Sequence, residues 1–123
     1  MSTNTLCWVD IPVKNVARAT DFYSAVLGQT VSIQSMPGCE FGLLPHANDN
    51  ASGCLCVMEG NQPSANGPLI YLSVEGRLDA AIEAARNGGG KIVTEKQQIG
   101  PYGHRAILID TEGNRIALHS MAG

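Results

Sequence analysis

The chain has no excess of positive charge, no long apolar run and no C-x-x-C pair, and each absence closes off a class of function. Eight Lys and Arg against eleven Asp and Glu give a formal net charge of −3, so nothing marks a nucleic acid or an anionic membrane as a partner. No stretch approaches the eighteen or so apolar residues of a membrane span, and MSTNTLCWVD lacks a basic region followed by an apolar core. A cytoplasmic protein is the expectation. The four cysteines, Cys7, Cys39, Cys54 and Cys56, have neither zinc-cluster nor redox-pair spacing, and read as small buried hydrophobes in a reducing compartment. At 123 residues, 44% of them hydrophobic, the chain is one domain with enough material for a core.

The stretch from Asp10 to Gly28 organises what is present. In Trp8-Val9-Asp10-Ile11-Pro12-Val13 the apolar residues Val9, Ile11 and Val13 alternate with Trp8, Asp10 and Pro12, which describes a strand with two distinct faces. Asn15 is a good N-cap, and Val16, Ala19, Phe22, Tyr23 and Val26 form one stripe of a helix over Val16–Leu27 that Gly28 ends. About half a chain later the pattern returns without sequence identity. Ile70, Leu72 and Val74 alternate in a strand, Leu78, Ala81, Ile82 and Ala85 form a helical stripe over Arg77–Asn87, and Gly88-Gly89-Gly90 stops it.

Strands are expected over Thr30–Gln34, Glu40–Leu44 and Gly53–Glu59 after the first helix, with a polar loop at Pro45–Asn50. After the second helix they are expected over Lys91–Glu95, His104–Asp110 and Arg115–Ser120, with a loop at Lys96–Gly103 and a turn at Thr111–Asn114. The fold class read from this pattern is α+β, with two βαβββ modules over residues 1–62 and 67–123.

Phe22-Tyr23, Val26-Leu27-Gly28, and Asp110-Thr111-Glu112-Gly113-Asn114 followed by Ile116, Leu118 and His119 carry a family resemblance. The chain resembles the glyoxalase, bleomycin-resistance and extradiol-dioxygenase superfamily, the vicinal oxygen chelate fold, over nearly its whole length, which implies that the two modules form a cleft of strongly curved mixed sheets with both helices on its outer side. These motifs bear on packing and turn chemistry, and so on fold. The resemblance implies a divalent metal held by His, Gln or Glu on the cavity side of strands in both modules, at positions that fall here on Trp8, Leu69 and Ala117. None of these side chains offers a metal ligand.

His46 is expected in an exposed loop, while His104 and His119 are the candidate acid–base residues. The expected cavity face holds Trp8, Asp10, Leu69, Tyr71, Ser73, Arg115, Ala117 and His119, an apolar floor with a few polar handles. Asp10 is either a handle for a ligand or a partner of Arg115 across the sheet. Two functions remain open. One is a metal-free module that binds a small organic molecule, as bleomycin-resistance proteins do, with no cofactor. The other is a glyoxalase-related lyase or isomerase, or a dioxygenase-like enzyme, with a divalent metal in a non-standard site. The resemblance also implies a homodimer.

Overall fold

The computed structural model describes residues 5–47 and 51–123. Its elements are β1 (Trp8–Pro12), α1 (Val16–Leu27), β2 (Ser32–Met36), β3 (Cys39–Leu43), β4 (Ser52–Cys56), β5 (Ile70–Ser73), α2 (Leu78–Asn87), β6 (Lys91–Gln98), β7 (His104–Ile109) and β8 (Arg115–Ser120). The same βαβββ order occurs twice. Each module makes a four-stranded sheet, ordered β1-β4-β3-β2 and β5-β8-β7-β6. The first strand of each module runs parallel to the last, and the other pairs are antiparallel. The sheets are mixed, as expected, and they remain two separate sheets rather than closing into a barrel.

Local chemistry explains the first unit. Ile11 is 1% exposed under α1 while Trp8 is 47% exposed on the other side, so β1 has the two faces its alternation implies. The Asn15 side chain accepts from the Arg18 N–H at 2.9 Å and caps α1. Gly28 ends the helix in the left-handed region, φ 69°, and donates its N–H to the Ser24 carbonyl. A second demand acts on the same glycine, because an added Cβ would lie 2.8 Å from the guanidinium carbon of Arg77. That guanidinium donates to the Val26 carbonyl at 2.6 Å, tying the start of α2 to the end of α1.

Several boundaries differ from the sequence pattern, among them β2, which runs over Ser32–Met36 rather than Thr30–Gln34 because its pairing with β3 continues to Met36 opposite Cys39. Arg77 is the residue before α2 rather than its first residue, with its side chain reaching to Val26. The left-handed turn after α2 falls on Gly89, φ 96°. β4 stops at Cys56 and not at Glu59, since its pairing with both β1 and β3 runs out there. β6 continues through Glu95 to Gln98, because two register shifts keep this polar edge strand paired with β7 as far as His104. Of the expected polar loop at 45–50, positions 48–50 lie outside the described residues.

The apolar faces of both helices and of both sheets form one buried cluster. The motif Asp110–Asn114 is a clasp as well as a turn. Asp110 accepts from the N–H groups of Glu112 and Asn114, each at 2.8 Å, and from the hydroxyl of the fully buried Tyr23 on α1. Asn114 donates to the Pro12 carbonyl at 2.7 Å. Glu112 accepts from the N–H groups of Lys14 and Asn15 at 2.8 and 2.9 Å and from two nitrogens of Arg18 at 2.7 and 2.9 Å. Module two thereby supplies an acceptor for the N–H groups of the N-cap residue of a module-one helix and of the residue before it. The other face of each sheet carries exposed apolar side chains, among them Met36, Tyr71 and Val93.

Candidate ligand cleft

β1 and β5 are each the free edge of their sheet, and both edges face a cleft of about 1190 Å³. Trp8, Asp10, Leu69, Tyr71, Ser73 and Arg115 line it. The indole Nε1–H of Trp8 donates to Asp10 Oδ1 at 3.0 Å, which holds the ring beside its strand and leaves its surface half exposed. The expected alternative of an Asp10–Arg115 pair is not formed. The ion pairs among the described residues are Arg18–Glu112, Arg86 with Glu83 and Glu95, and Lys96–Asp79. Asp10 instead also accepts from the Cys54 thiol at 3.3 Å.

The two candidate acid–base histidines do not line this cleft. His119 Nε2 lies 2.6 Å from the Tyr102 carbonyl, so that nitrogen donates there and is occupied. The His119 ring stands edge-on to Tyr71, centroids 6.4 Å apart. His104 pairs with Ser120 at the start of β7, and its Nδ1 is buried with no partner among the described residues. His46 is exposed, as expected, and lines the mouth of the cleft. Arg105, which the sequence reading left out, sits opposite His119 in the β7–β8 ladder. It donates to the Tyr71 hydroxyl and to Gln97, and its guanidinium carbon is 6.0 Å from the Tyr71 ring centroid. Alternation along His104–Ile109 puts Arg105 on one face with Ile107 and Ile109, a signal that was present.

At the three positions where the resemblance implies metal ligands, the side chains do not fit a metal. Ala117 is fully buried, Leu69 has no polar side-chain atom, and the one polar atom of Trp8 is a donor already bonded to Asp10.

A second groove, of about 850 Å³, opens on the face of sheet one turned away from α1. Cys39, Cys54 and Cys56 line it together with Met36 and Met58, and Trp8 and Asp10 belong to both hollows. Cys54 and Cys56 are buried and unbridged, as expected for small hydrophobes, whereas Cys7 is exposed and Cys39 half-buried, so that reading fails for those two. Burial pushes the Cys54 thiol up to about 12, helped by its bond to Asp10, and burial raises Cys56 as well. Spacing along the chain missed that Asp10 joins them. The parallel register places Asp10 opposite Cys54, and one ligand atom from each of Asp10, Cys54 and Cys56 lies within 4.8 Å of the others.

Among the described residues no helix is long and apolar enough to cross a membrane. The sequence profile described as the Glyoxalase/Bleomycin resistance protein/Dioxygenase superfamily matches residues 5–118. A Mycobacterium bovis protein named "Putative glyoxylase CFP32" is 30% identical over 113 residues, which are 90% of this chain and 42% of that one. The chain thus spans less than half the length of that relative. A glyoxylase-like domain-containing protein of Didymella fabae is 28% identical over 119 residues, 94% of this chain and 92% of that protein. Among solved structures, a glyoxalase/bleomycin resistance protein from Albidiferax ferrireducens T118 superimposes with a TM-score of 0.74 at 18% identity, covering 95% of this chain and 98% of that one. Glyoxalase I from Zea mays superimposes at 0.67 and 18% identity, covering 94% of this chain and 45% of its own.

Proposed function

The chain belongs to the Glyoxalase/Bleomycin resistance protein/Dioxygenase superfamily, and on that premise we propose that it binds a small organic molecule in the β1–β5 cleft without a metal at Trp8, Leu69 or Ala117. The observation that carries this reading is the make-up of the cleft. It pairs a half-exposed indole and Leu69 with the polar groups of Asp10, Ser73 and Arg115, and Arg115 forms no ion pair among the described residues. An aromatic or otherwise flat ligand would lie on Trp8, where such stacking contributes about 0.5–1.5 kcal/mol beyond area burial. A hydrogen-bond acceptor or anionic group on it would face Arg115. Nothing in this arrangement requires turnover. The competing reading is a lyase, isomerase or dioxygenase-like enzyme, and it would need a base other than His119 as that residue is held here.

The working unit in this reading is a homodimer in the cytoplasm, in keeping with four free thiols and with the exposed apolar side chains on the sheet faces. Mass spectrometry of the purified protein under native conditions is expected to show a co-purifying small molecule. Titration with that molecule should change the fluorescence of Trp8, the single tryptophan, and Trp8→Ala should abolish binding. Unaltered affinity in Trp8→Ala would overturn the reading, and chemical conversion of the bound molecule would favour the enzyme.

A further inference from the structure

We propose that Asp10, Cys54 and Cys56 form a binding site for a soft divalent cation of the zinc class, built from module one alone and separate from the positions of Trp8, Leu69 and Ala117. The geometry rests on strand register. β1 runs parallel to β4 with Asp10 beside Cys54, and Cys56 follows two residues on, so all three side chains emerge on the face turned away from α1. Their ligand atoms lie within 4.8 Å of one another. Tetrahedral zinc, with bonds of about 2.0–2.3 Å, needs neighbouring ligand atoms about 3.5 Å apart, so closing the set asks the ligand atoms to draw together by about 1 Å.

The donor set selects the metal. Two sulfurs and one carboxylate oxygen favour zinc or cadmium, whereas magnesium and calcium require oxygen shells. On binding, two S–H bonds break, two metal–sulfur bonds and one metal–oxygen bond form, and two protons leave to solvent. The three anionic ligands then outweigh the cation by one charge. Trp8 already donates to the Asp10 oxygen, the kind of outer hydrogen bond that orients a ligating carboxylate. The remaining coordination position faces the groove lined by Cys39, Met36 and Met58, where water or a donor atom of a bound molecule can enter.

The test uses the full chain, reduced and stripped with chelator, and titrated with cadmium and then with cobalt. Thiolate-to-metal charge-transfer absorbance is expected to saturate at one ion per chain, with two protons released per ion in weakly buffered solution, and zinc should displace the probe. Cys54→Ser combined with Cys56→Ser should remove the band, and Cys7→Ser, at an exposed cysteine outside the set, should leave it. Should the double variant fail to fold, Asp10→Asn decides, since Asp10 is exposed and its replacement leaves both thiols in place. Asp10→Asn is expected to weaken binding by more than the roughly 10–100-fold that loss of an outer-shell partner costs. Absence of a saturating band, its survival in the double serine variant, or wild-type affinity in Asp10→Asn would each overturn the proposal.

Discussion

Replacing Glu112 by Gln perturbs the clasp between the modules while keeping its shape. Burial by itself pushes the Glu112 carboxyl up, but the Arg18 guanidinium, the N–H groups of Lys14 and Asn15 and the Thr111 hydroxyl outweigh it and hold the group at about 2. Against an unfolded value of about 4.3, and with the Arg18 contribution reduced by solvent screening, this amounts to roughly 2–3 kcal/mol of stability at neutral pH. The sign follows from a folded value below the unfolded one. The contribution is complete above the unfolded value, shrinks as the pH drops below about 4.3, and is gone below about 2. Glutamine can still accept from Lys14 and Asn15, but its amide group would point donors at the Arg18 guanidinium. Glu112→Gln is therefore expected to unfold about 6–12 °C below wild type at pH 7, at about 3–4 °C per kcal/mol for a domain of this size. In urea titrations the difference should narrow to roughly half at pH 3. Wild-type stability of the variant at pH 7, or a difference that stays constant from pH 7 to pH 3, would refute the reasoning.

Gly28→Ala forces a Cβ into the left-handed region and against Arg77, and calorimetry should show a loss of about 1–3 kcal/mol. Tyr23→Phe removes the hydroxyl donated to buried Asp110 and should cost about 1–3 kcal/mol in chemical denaturation, with no effect on binding in the cleft. Sedimentation at micromolar concentration is expected to show a dimer, and a monomer there would remove the homodimer from the proposal.

Much of the fold was legible because local chemistry decided it. Asn15 and Gly28 cap α1 as their side chains predict, and the alternation through Val9, Ile11 and Val13 assigned both faces of β1. Pairing was harder to read. Lys96, Gln97 and Gln98 look like loop by polarity, yet they extend β6 because an edge strand can keep polar residues while its neighbour satisfies the backbone. At the site, Trp8, Asp10, Tyr71, Ser73 and Arg115 share a cleft with Val9, Ile11, Ile70 and Leu72, so strand edges with residues of both faces meet there rather than the single face that alternation picks out. Alternation could not show that His119 is held by the Tyr102 carbonyl or that Asp10 lies beside Cys54, since both depend on residues brought together from distant parts of the chain. Glu112 was read as one letter of a turn, and its role depends on partners in the opposite module.

The clasp also sets an order in time. The acceptor for the Lys14 and Asn15 N–H groups that lead into α1 is 98 and 97 residues downstream of them, and the Asn114 contact to Pro12 spans 102. During synthesis at roughly 5–20 residues per second, Lys14 and Asn15 are made about 5–20 s before the carboxylate that their N–H groups bind exists. Contacts of such range raise the contact order and slow the search for the folded state. Module one should thus wait, incompletely ordered, for the last hairpin of the chain. A fragment of residues 1–62 is expected to show no cooperative thermal transition, and one that melts sharply would mean that the N-terminal half of this duplicated fold can mature on its own.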